Sequence, residues 1–106
     1  MPVRLVLSTC PDADTAARIA RALVEERLAA CVGALPGLVS TYRWQGRVEQ
    51  AGEAQLLIKT RAGRLDALIA RLAQLHPYEL PEILAVEAGG LPAYLAWVAE
   101  QTCEEP

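Results

Sequence analysis

The chain has 106 residues, 53% of them apolar and only 5% aromatic, with a formal net charge of −3. A domain of this size buries about two-thirds of the surface its unfolded chain exposes. A mean hydropathy of +0.19 therefore points to apolar burial between chains as well as within one. The acidic balance, with a pI of about 5.1, offers no attractive field to nucleic acid or to an anionic membrane surface, and no stretch reaches the roughly 20 apolar residues that span a bilayer.

Val3 to Thr9 is short and aliphatic and reads as a first strand. Pro11 and Asp12 end it, and Asp12 or Asp14 is placed to cap the helix that follows. Ala16, Ile19, Ala20 and Leu23 recur at helical spacing, which predicts an amphipathic helix to about Arg27. Leu28 to Trp44 reads as one long strand interrupted at Pro36-Gly37, a pair suited to a bulge. Gln45-Gly46 is a turn, and Arg47 to Thr60 returns as a second long strand with a kink expected near Ala51-Gly52. Leu65, Leu68, Ile69, Leu72 and Leu75 form a helical stripe. That helix must stop at His76, because Pro77 drives the residue before it out of helical conformation. Ile83 to Glu87 is a fourth strand. Pro92 suits the first turn of a closing helix with Tyr94, Leu95 and Val98 on its apolar side and Trp97 beside them, and Glu104 to Pro106 reads as a frayed tail.

The resulting order is β-α-β-β-α-β with an added C-terminal helix. It is a mixed α/β (α+β), ferredoxin-like arrangement in a single domain over residues 1–106, ordered from about 3 to 100. Two helices should cover one face of a four-stranded antiparallel sheet. Each arm of the central hairpin runs about 14 residues, or roughly 45 Å, against a radius of gyration near 13 Å for a globule of this length. The arms should overhang their own helices, and a symmetric second copy is the simple way to cover them. The alternative is that the bends fold the hairpin back onto its own chain.

Cys10, Cys31 and Cys103 are odd in number, far apart and free of CxxC or CxH spacing, so neither a disulfide framework nor a zinc finger is expected. Met1 to Cys10 is too short and too lightly charged for an export signal, which makes the cytoplasm the expected compartment. His76 is the single histidine, at a helix C-terminus where the dipole favours a cation. Followed by Pro77, Tyr78, Glu79, Pro81 and Glu82, it offers an imidazole with carboxylates that suits Cu²⁺ or Zn²⁺; the alternative is a capping histidine bonded to a carbonyl. Cys31 is either a small buried hydrophobe or a thiolate lining an intersubunit cleft, suited to Cu(I).

Cys10 precedes a helix N-terminus, where the dipole can lower a thiol pKa, and His76 is the one imidazole base available to it; otherwise it is an incidental thiol. Tyr42, Trp44, Lys59 and Tyr78 are able to line a cleft for a small anionic ligand, with Lys59 supplying charge and the rings supplying stacking. Alternatively, the aromatics anchor a subunit interface. No phosphate loop, Ser/His/Asp set or paired-carboxylate signature is present, so binding is expected rather than catalysis.

LAACV (Leu28 to Val32), LPG (Leu35 to Gly37), YRWQG (Tyr42 to Gly46), IKT (Ile58 to Thr60), HPYELPE (His76 to Glu82) and LPAYLAWV (Leu91 to Val98) stand in order along the chain. Together they closely resemble the CutA family of divalent-cation tolerance proteins, over nearly the whole length from Val3 to Val98. Gly33-Ala34 departs from the Asn and larger aliphatic more usual there. The resemblance implies a tight homotrimer, an architecture similar to the PII signal-transduction proteins, and an association with copper and other divalent metals. It also matches Cys31 to the family's recurrent cysteine. The expected metal set is Cys31, His76, Glu79 and Glu82, with Cu²⁺ or another divalent cation as the ion and no organic cofactor. Two functions follow as expectations: a homotrimeric copper-binding tolerance protein, or a PII-like signalling or scaffold module that takes a small metabolite or partner protein in its intersubunit clefts.

Overall fold

In the computed structural model, which describes residues 2–104, the chain runs β1 (Val3–Cys10), α1 (Ala13–Glu25), β2 (Cys31–Trp44), β3 (Arg47–Arg61), a 3₁₀ turn (Ala62–Arg64), α2 (Leu65–Leu75), β4 (Leu84–Ala88) and α3 (Pro92–Gln101). Glu105 and Pro106, the end of the expected tail, lie outside the described residues. The strands form one antiparallel sheet in the order β2-β3-β1-β4, the expected ferredoxin-like topology.

Residues opposite one another in an antiparallel ladder share a face, and this divides the sheet cleanly. Val6, Ser8 and Cys10 stand opposite Ile58, Leu56 and Ala54. Their apolar members pack with Ile19 and Leu23 of α1 and Leu68 and Leu72 of α2 in the main core. Leu5 and Leu7 face the other way, opposite Lys59 and Leu57 on β3 and Val86 and Leu84 on β4. The third helix covers only one end of that second face, where Val98 and Leu95 meet Val3, Ala30 and Ala88. The rest of the face keeps an apolar stripe open, with Leu84 56% and Leu35 52% exposed.

Asp12 is the cap of α1: its Oδ1 accepts from the Thr15 N–H at 2.7 Å, and this bond holds the carboxyl below its ordinary range. The helix ends two residues before the expected Arg27. Arg27 takes φ +60°, the Leu28 N–H reaches back to the Leu23 carbonyl, and the Arg27 N–H to that of Val24. This is a Schellman ending without glycine. It redirects Leu28 to Ala30 into a buried lead-in, so β2 starts at Cys31. The fourth strand begins one residue later than expected. The Glu82 carbonyl accepts from Ser8 Oγ at 2.7 Å, Ile83 packs on the helix-side core, and the ladder opens at Leu84 opposite Leu7.

The β2-β3 hairpin overhangs as its length requires. The long axis is 44 Å against 24 and 22 Å across, and residues 41–50 are exposed throughout. The bulge falls between Leu35 and Leu38, at Pro36-Gly37, with Gly37 at φ +80°. No register shift accompanies Ala51-Gly52; Gly52 pairs with Val39 and Ala51 with Ser40. The tip is a two-residue turn with Gln45 and Gly46 both at positive φ, the geometry that matches strand twist in a tight hairpin.

Candidate functional site

The segment 77–82 joins α2 to β4, and four hydrogen bonds pin it. At its start, His76 leaves the helix with ψ 136°, as Pro77 demands, and its ring turns inward. Nε2 lies 2.6 Å from the Thr9 carbonyl oxygen, which only accepts, so Nε2 carries the proton. Nδ1 then accepts from the Tyr78 backbone N–H at 3.1 Å. In the middle, the Tyr78 hydroxyl donates to Glu53 Oε2 at 2.7 Å, across 25 residues of sequence. At the end, Ser8 holds the Glu82 carbonyl.

Both ring nitrogens of His76 are therefore engaged, and neither presents a lone pair to a cation. The capping reading of His76, not the ligand reading, describes its geometry. Cys10 lies beneath it with Sγ 4.0 Å from Nε2. The helix dipole does not activate this thiol. Burial first, then the Glu53 and Asp12 charges, push it up to about 11.

Cys31 sits elsewhere. It pairs with Lys59, which pairs with Leu5, whereas His76 contacts Thr9, four residues further along β1. That separates the two by roughly 13 Å along the strand direction alone. Around Cys31 stand the Lys59 ammonium, with Nζ 4.0 Å from Sγ, and Tyr94, whose phenol is pushed up by burial and by the neighbouring Cys31. Within one chain Cys31 and His76 share no site, and no group of three or more His, Cys, Asp or Glu side chains among the described residues is spaced to hold a metal.

Between the outer half of the β2 arm and the pinned loop lies a cavity of about 750 Å³. Tyr42 and Trp44 wall it from β2, Tyr78 and Leu80 from the loop, and Glu53, Glu79 and Glu82 line it as well. Ser40, Thr41 and Thr9 add hydroxyls, Pro77 and Pro81 add rigid apolar surface, and no Lys, Arg or His lines it. Desolvation, then the bond to Glu53, hold the Tyr78 phenol far above its ordinary value, so it remains the donor.

Of the residues expected at a metal, Glu79 and Glu82 come together here, His76 supports the loop from below, and Cys31 is absent. Of the expected cleft residues, Tyr42, Trp44 and Tyr78 meet, while Lys59 stands beside Cys31 instead. Sequence reasoning missed Glu53. It sits in a strand with no local motif, and only the tertiary fold brings it to Tyr78.

The family model described as CutA1 divalent ion tolerance protein matches residues 4–101. A curated relative, "Divalent-cation tolerance protein CutA" of Thermus thermophilus, is 50% identical over 99 residues, covering 92% of this chain and 96% of the relative. The crystal structure of CutA from Xylella fastidiosa superposes with a TM-score of 0.93 at 57% identity, covering 95% of this chain and 98% of that one. A structure titled "PII-like protein CutA" from Nostoc gives a TM-score of 0.89 at 36% identity, covering 94% and 97%.

Proposed function

Because the chain belongs to the CutA1 divalent ion tolerance protein family, we propose that it works as a non-catalytic, homotrimeric binding protein of the cytoplasm that takes up a divalent cation, copper among them. The PII-like build supports assembly, since the part of the second sheet face beyond α3 leaves Leu35, Leu84 and Val86 for neighbouring copies to cover. Three free thiols suit a reducing compartment.

The observation that carries the cation reading is the convergence of Glu53, Glu79 and Glu82 on one cavity with no basic side chain in its lining. Carboxylate oxygens are donors for divalent ions. In this reading Glu79 and Glu82 contact the ion and Glu53 adds charge. His76 is a positioning residue that holds their loop, and Cys31 is a separate soft donor further along the sheet, beside Lys59.

Calorimetric titration of the purified protein with Cu²⁺ tests this. A stoichiometric signal is expected in the parent, weakened at least tenfold in the double variant Glu79→Gln/Glu82→Gln. Cys31→Ser should lower uptake of Cu⁺ while leaving Cu²⁺ binding at the carboxylates intact. Parent-like Cu²⁺ binding in the double variant would remove these residues from the account.

A further inference from the structure

We infer that the cavity between the outer half of the β2 arm and the 77–82 loop is a binding site for a small organic cation, a ligand with an ammonium head and a short apolar body. The sign of charge comes first. Glu53, Glu79 and Glu82 line the space, and no Lys or Arg does: Lys59 is engaged at Cys31, while Arg43, between Tyr42 and Trp44, and Arg47, opposite Trp44, lie outside the lining. An anion entering here meets three carboxylates and no cationic side chain to offset them.

The rings come second. Tyr42, Trp44 and Tyr78 face the same volume, and aromatic faces attract an ammonium through their quadrupole. A bare metal ion draws little from such walls, whereas an alkylated ammonium uses both the rings and the carboxylates. The third point is size. At about 750 Å³ the cavity falls in the range of small-molecule sites and far exceeds the volume of a single ion. It is also formed in advance, because the Tyr78–Glu53 bond, the Ser8–Glu82 bond and the His76 contacts fix the loop against the sheet. A fixed wall spares the ligand the cost of ordering it.

The inference shares its cavity and carboxylates with the metal reading, so its test is run with metal chelated. The chain has two tryptophans, so Trp97→Phe leaves Trp44 as the sole indole reporter. Choline is titrated in the presence of EDTA, with its neutral isostere 3,3-dimethylbutanol and the anion citrate as parallel arms. A saturable change in Trp44 emission is expected with choline, at least tenfold weaker with the isostere and absent with citrate. Glu53→Gln should weaken choline at least tenfold. Calorimetry on the unsubstituted protein gives the same comparison if Trp97→Phe fails to fold. Equal response to choline and its isostere, a preference for citrate, or no saturable response by either method would overturn the inference. None of these outcomes bears on Cu²⁺ uptake measured without chelator.

Discussion

At the scale of single residues, hydrogen-bond demand explains more than residue type. A lone histidine beside carboxylates suggests a ligand, yet His76 spends both nitrogens on backbone groups. His76→Phe should therefore destabilise the fold by about 2–3 kcal/mol, because it strands the Thr9 carbonyl and the Tyr78 N–H. Urea unfolding measures the loss. Cys10 makes a second case. Its thiol titrates at about 11 in the fold against 9.0 for an ordinary thiol, so the folded state keeps the proton that the unfolded state gives up. Stability linked to Cys10 is whole below pH 9 and declines as the pH rises from 9 toward 11. In Cys10→Ala that part of the alkaline decline should vanish in a pH series of thermal melts, and alkylation of Cys10 in the native parent at neutral pH should be slow.

At the scale of elements, turn chemistry sets the shape of the overhanging arm. Gly37 sits at φ +80° within the bulge, with nothing within 4 Å of where a side chain would begin. A substitution there meets backbone strain and no clash, so Gly37→Val should cost about 1–2 kcal/mol, read by denaturant midpoint, while the strand content persists by circular dichroism. The bulge was readable from Pro36-Gly37, and the α2 stop was readable from Pro77. The Schellman turn at Arg27 was not, because it places a non-glycine residue in the left-handed region and no local signal marks it. The expected kink at Ala51-Gly52 likewise has no counterpart in the ladder, where the cross-strand partners Ser40 and Val39 keep register.

At the scale of the whole molecule, a protomer with a 44 Å long axis and a half-covered sheet face is an incomplete hydrophobic solution. Light scattering on a sizing column should give about three times the 11.4 kDa protomer mass. Val86→Asp, on the open face and 47% exposed, should shift that mass downward. It should also make the melting temperature depend on protein concentration, as subunit linkage requires. A parent eluting as a folded monomer would contradict the proposed assembly.

The order of elements and the hairpin length were determined by the sequence alone, because periodicity, proline and glycine act over a few residues. So was the family resemblance, carried by segments that stay in order along the chain. Only the tertiary structure decided which chemistry-bearing side chains meet. Glu53 reaches Tyr78 across 25 residues, and Cys31 parts from His76. Both outcomes depend on strand register and on which face each residue occupies, quantities fixed by the packing of the whole sheet and written in no local stretch of the chain.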